Sequence, residues 1–165
     1  MIKDFEFYHG AVLAKIAQSN KKISISSYPS ASRCSYVING SIGIYIKHSS
    51  NRLTPWGFSF AKSHQDEIKE MADKLGRVFV VLVCGKDGMA CLSFDELKAV
   101  LDDDHSDHEW IRASRRPREK YSIKGSNGKL KFKIAHNHFP DRIFEQESGV
   151  TEFLKGIYDK TLSNK

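Results

Sequence analysis

The chain has 165 residues, 40% of them apolar or aromatic, which suffices for one good core and would leave two separate domains marginal. Its formal charge of +6 and pI near 9.2 favour contact with a polyanion, because Lys and Arg that neutralise phosphates release condensed counterions. No apolar stretch approaches the roughly 20 residues that span a bilayer, and Met1-Ile2-Lys3-Asp4-Phe5 opens no run of signal-peptide length. With Cys34, Cys84 and Cys91 odd in number and widely spaced, no disulfide framework or CxxC zinc knuckle is expected, and the expected location is cytoplasmic.

In chain order, Val12, Leu13, Ile16 and Ala17 recur at helical spacing and predict a first helix over residues 7–19. Residues 22–28 alternate Ile23 and Ile25 with serines, the pattern of a half-buried strand that Pro29 ends. Two β-rich runs, residues 35–38 and 42–47, flank Asn39-Gly40, the dipeptide suited to a two-residue hairpin turn. Alternating Trp56, Phe58 and Phe60 predict a further strand, which Pro55 confines to a sheet edge or a strand start.

Ser63 is the expected N-cap of a helix whose apolar face is Ile68, Met71, Ala72 and Leu75 and which Gly76 ends. The unbroken run Val78-Phe79-Val80-Val81-Leu82-Val83 predicts a central strand covered on both faces. Gly85-Lys86-Asp87-Gly88 then turns the chain into residues 89–92. Ser93 and Glu96 form a capping box for a helix carrying Leu97, Val100 and Leu101. Beyond the polar residues 102–108, three strands are expected over 110–113, 120–124 and 130–134, and then a terminal helix with Phe153, Leu154, Ile157 and Tyr158.

These elements predict one α+β domain with a mixed central sheet flanked by helices. Residues 1–108 form its core, and residues 109–165 form a basic β-ribbon and terminal helix packed on the same domain. The order helix, strand, strand, strand, helix, strand, with Lys47 at the outgoing end of the third strand, resembles the restriction-endonuclease-like, PD-(D/E)XK, superfamily. In that family an aspartate and a Glu-x-Lys triplet hold a divalent ion and orient the attacking water. Asn39 stands at the position of the aspartate, Tyr45 at that of the glutamate and Lys47 at that of the lysine. Mg²⁺ prefers charged oxygen ligands, so the resemblance implies either a lost metal site or a carboxylate relocated from elsewhere, with Glu6 and Asp66 nearest in chain order.

The second constellation is a basic run: Arg112, Arg115, Arg116, Arg118, Lys120, Lys124, Lys129, Lys131 and Lys133 against the single acid Glu119. On a β-ribbon Lys129, Lys131 and Lys133 share one face, with Trp110, Tyr121 and Phe132 near as stacking surfaces. The competing explanation is edge protection by lysines, but Arg115-Arg116-Pro117-Arg118 offers planar forks that edge protection does not require.

Other constellations carry less. Residues 102–108 hold acids and histidines at ligand spacing but fit a solvated loop. Lys47-His48-Ser49-Ser50 could line a small anion site, though serines are ordinary loop residues there. His136-Asn137-His138 spells the letters of the HNH nucleases contiguously, which that dispersed motif does not do. Neither GxSxG nor GxxxxGK[ST] occurs.

The expected function is a nucleic-acid-binding protein, for DNA or RNA, with a nuclease-like fold that lacks an intact metal site. Lys47, His48, Arg112, Arg115, Arg116, Arg118, Lys129, Lys131 and Lys133 are the expected phosphate contacts, with Lys47 the one catalytic candidate. No cofactor is expected and no enzymatic activity is required. One alternative is an active Mg²⁺-dependent endonuclease with relocated carboxylates. Another is a non-enzymatic subunit that docks an acidic protein partner or a second copy of itself.

Overall fold

The computed structural model of the chain describes residues 1–103 and 108–145. Helix α1 (Asp4–Ala17) leads into β1 (Ile25–Ser27), β2 (Ser35–Ile38) and β3 (Ile42–Ser49). Then follow β4 (Trp56–Phe60), α2 (Lys62–Leu75), β5 (Arg77–Cys84), β6 (Gly88–Ser93) and α3 (Phe94–Val100). The described part ends with β7 (Glu109–Ser114), β8 (Ser122–Gly125), β9 (Gly128–Lys129) and the short α4 (Asp141–Phe144). The result is a mixed α+β domain of two sheets.

Sheet one has the order β1-β2-β3-β5-β6, antiparallel except for the parallel pair β3·β5. A parallel neighbour requires a crossover, which β4 and α2 together supply. Within this sheet the expected order of helix, three strands, helix, strand is present, with β4 diverted into a second sheet of order β4-β7-β8-β9.

Side-chain parity in β5 explains how the layers stack. Val78, Val80, Leu82 and Cys84 face one cluster, and Phe79, Val81 and Val83 face another, so the central strand is covered on both sides as expected for so apolar a run. The first cluster joins β5 and β6 to Ile68 and Met71 of α2, to Leu97 and Val100 of α3, and to Trp56, Phe58, Phe60, Ile111, Ala113 and Ile123 of the second sheet. The second is built from Val12 and Ile16 of α1 against Ile42, Ile44 and Ile46 of β3, closed by Phe139 and Ile143. Each such fully buried aliphatic contributes about 1.5–3 kcal/mol of transfer free energy.

Four local expectations are corrected. Residues 25–27 form an exposed edge strand, because among the described residues only β2 flanks them and no layer covers either side. The hairpin turn has three residues, since Ile38 pairs with Ile42; Asn39 at φ 54° and Gly40 at φ 70° supply its left-handed step. The N-cap of α2 is Ala61, whose N–H donates to His64 Nδ1 at 3.2 Å, so an imidazole does the work expected of Ser63. Residues 130–134 make no strand beyond the single bridge Tyr121↔Ile134.

Gly76, at φ 77°, ends α2 as expected, and the Ser93–Glu96 capping box is present in both directions at 3.2 and 2.8 Å. The expected terminal helix lies outside the described residues, as do residues 104–107 of the acidic stretch. Among the described residues no helix is long and apolar enough to cross a membrane.

Candidate functional site

The second sheet turns one face to the core and one to solvent. In β7, Glu109, Ile111 and Ala113 point inward while Trp110 and Arg112 point outward; in β8 Ile123 and Gly125 point inward and Lys124 outward. Register lines these outward positions up. Gly57 of β4 pairs with Arg112, Arg112 with Lys124, and Lys124 with Lys129, so three cations form one lateral row across β7, β8 and β9. Like charges directly opposite one another on a sheet face are destabilising. Among the described residues no acid is paired with any of the three.

The nearest acid in the sheet, Glu109, is turned the other way. It is 9% exposed, and its two oxygens accept from Gln65 Nε2 at 2.8 Å and Asn127 Nδ2 at 2.7 Å. Beside the row, Trp110 is 38% exposed and the Arg112 guanidinium lies 5.3 Å from its ring centre. Trp110 pairs across β4 with Ser59, and its backbone exchanges bonds with Ser126. Gly57 and Ser59 leave the β4 side of this face low.

The other expected contacts divide. Arg116, Arg118, Lys129, Lys131 and Lys133 are exposed, but Lys129, Lys131 and Lys133 do not alternate along one strand, since β9 stops at Lys129. Leu130 is pulled under the sheet by the bond of its N–H to the Ile123 carbonyl, and Phe132 is left 84% exposed between Lys131 and Lys133. Lys133 meets Glu119 at 3.3 Å, an exposed pair worth little.

Arg115 is committed internally. Its Nε and Nη2 donate to the two oxygens of Asp87 at 2.9 and 2.6 Å, and Nη1 donates to the carbonyls of Arg116 and Glu119. Tyr121, expected at the surface, is buried and donates its hydroxyl to Asp87 at 2.7 Å. These bonds, the Arg115 fork first, hold the Asp87 carboxyl below the usual carboxylate range. His136 donates from Nε2 to the Asp87 carbonyl at 2.7 Å, so the HNH letters serve the β5–β6 turn.

Lys47 and His48 lie on opposite faces of β3, because successive strand residues alternate, so the two cannot line one anion site. His48 stacks on Tyr8 of α1 at 4.4 Å, while Lys47 faces α2 with Tyr45. The Lys47 ammonium sits 5.1 Å from the Phe60 ring centre and 3.4 Å from His64 Nδ1. That nitrogen already accepts the Ala61 N–H, so His64 is the neutral imidazole, and burial followed by the Lys47 charge lowers its pKa. Burial lowers the pKa of Lys47 as well.

The positions matched to the metal ligands hold none. Asn39 spends its side chain on the Ser24 N–H at 2.9 Å, and Tyr45 is fully buried with a hydroxyl that has no partner among the described residues. Glu6 sits at the start of α1, accepting from the Lys3 N–H, and α1 covers the opposite face of the sheet from Lys47. A carboxylate on the Tyr45 side is Glu67, and Ser32 and Ser35 each donate a hydroxyl to its Oε2 at 2.6 Å. Among the described residues no three His, Cys, Asp or Glu side chains are grouped to hold a metal ion.

A separate cavity of about 580 Å³ opens between α1 and the β5–β6 turn, with Val83, Met89 and Phe139 in its lining and Lys15 and Lys86 beside them. Sequence reasoning left Lys124 and Glu67 out of the site. Lys124 was signalled by its parity with Ile123, whereas Glu67 carried no signal, because its neighbours Ser32 and Ser35 are more than thirty residues away. No family model, no curated protein and no solved structure matches the chain.

Proposed function

We propose that the chain is a nucleic-acid-binding protein on a restriction-endonuclease-like frame without the two-carboxylate metal site of that superfamily. The observation that carries this reading is the row Arg112, Lys124 and Lys129. A solvent-facing row of like charges costs stability, and a polyanion laid across it removes that cost and releases counterions. Arg116, Arg118 and Lys131 extend the positive surface, and Lys47, half-buried with no carboxylate paired to it among the described residues, is a further phosphate contact.

Filter binding across a salt series tests the reading. Affinity should fall linearly in log–log form with salt, and the Arg112→Ala/Lys124→Ala double variant should flatten the slope by about 1.5 units. No affinity at low salt, or an affinity indifferent to salt, removes the proposal. With Mg²⁺ or Mn²⁺ present, bound DNA and RNA should stay intact; cleavage that Lys47→Ala abolishes would replace this reading with an active endonuclease.

A further inference from the structure

We propose that the ligand of the second sheet is a single strand whose bases stack on Trp110 while its phosphates follow the cationic row; this rests on the nucleic-acid reading above. The chain has two tryptophans, and their environments differ sharply. Trp56 is 2% exposed and its indole N–H is bonded to the Asn51 carbonyl at 3.0 Å, so its role is in the core. Trp110 stands on the solvent face at 38% exposure, so part of its ring is open to a ligand.

What surrounds Trp110 suits a base. Ser59 is opposite it on β4, and a Cβ built on Gly57, opposite Arg112, would meet nothing within 4 Å, so the face is open at that position. Arg112 covers part of the ring with a planar cation, which leaves a layered order of guanidinium, indole and base. Every base has a π-face, so this recognition tolerates any sequence. The row then runs perpendicular to the strands from Arg112 to Lys129, a reach of about 10 Å at the usual interstrand spacing. Beyond β9, Phe132 between Lys131 and Lys133 repeats the pairing of exposed aromatic and cation.

This face does not enter a duplex groove. A major groove about 12 Å wide admits a helix or a two-stranded ribbon, whereas this face is four strands across. Bases paired inside a duplex also cannot reach the indole. Charge alone would hold duplex and single strand alike, so Trp110 is the residue that separates the two.

The test is titration of the full chain with oligo(dT) of about 16 nucleotides, a duplex of the same length, and heparin as a polyanion without bases. Intrinsic tryptophan fluorescence and filter binding are read together. Oligo(dT) should quench the exposed tryptophan and bind at least tenfold tighter than duplex. Trp110→Ala should lose quenching and about tenfold in oligo(dT) affinity, with heparin affinity unchanged. Trp110→Phe should lose the quenching but keep affinity within about threefold, since a phenyl ring still stacks. Equal binding of duplex and oligo(dT), or oligo(dT) binding indifferent to Trp110→Ala, overturns the single-strand assignment while leaving nucleic-acid binding in place. Binding to none of the three removes both.

Discussion

Arg112 on β7 and Lys124 on β8 stand directly opposite each other on the solvent face of an antiparallel pair, with Lys129 next in the row. Proteins usually place opposite charges at such positions, since like pairs cost a fraction of a kcal/mol. Lys124→Glu should therefore raise thermal stability slightly, by up to about 1 kcal/mol, while weakening nucleic-acid affinity. A melting curve and a binding isotherm on the same variant check the two opposite signs.

The Asp87–Arg115 fork fixes the β5–β6 turn to the second sheet, with 21% and 13% of the two side chains exposed. Asp87→Ala leaves the Arg115 guanidinium and the buried Tyr121 hydroxyl without their acceptor. The expected loss is about 2–4 kcal/mol, read by urea unfolding. Because Asp87 has a lowered folded pKa, its contribution is present above the usual carboxylate pKa and is lost as pH falls through the folded value. Asp87→Ala should thus narrow the gap to the native protein at the acid end.

His9 gives the fold a second acid sensitivity. Burial first, and the neighbouring His48 second, push its pKa down to about 4 from 6.5. The unfolded chain binds the proton more readily, so stability is complete above about pH 6.5 and declines as pH falls toward 4. The decline attributable to His9 is up to about 3 kcal/mol, and His48 and His64, also lowered, add to it in the same direction. Unfolding free energy measured between pH 7 and 4 should show this slope, and His9→Phe should flatten it.

Two glycines hold layers together at close quarters, and the identity of the obstructing atoms ranks them. A Cβ on Gly43 would lie 2.9–3.0 Å from side-chain atoms of Met71, Leu75 and Val78, which can shift partly, so Gly43→Ala should cost about 1–3 kcal/mol. A Cβ on Gly125 would lie 2.4 Å from the Val100 carbonyl oxygen, which belongs to the backbone and cannot rotate away. Gly125→Ala should be the more damaging of the two by thermal melt, since the second sheet would have to leave α3.

Sequence determined most of the elements and the parity of the apolar strands, because both follow from local physics. A continuous apolar run needs cover on two faces, a Ser–Glu capping box starts a helix, and Gly76 permits the left-handed end of α2. Even the separation of Lys47 from His48 was implicit in the period of a strand. Expectations failed where the outcome depends on tertiary neighbours: β1 is exposed along its length, β9 ends early because Leu130 turns inward, and Tyr121 is buried on Asp87.

The site was half-legible for the same reason. The excess of Lys and Arg over residues 112–133 was visible in the sequence, but which of those side chains share a face depends on strand register. Only the tertiary structure set Arg112, Lys124 and Lys129 in one row, turned Glu109 inward and committed Arg115 to Asp87. Arg115 meets Asp87 and Glu109 meets Gln65 across 28 and 44 residues, and in the row a register shift of one residue would send every side chain to the other face.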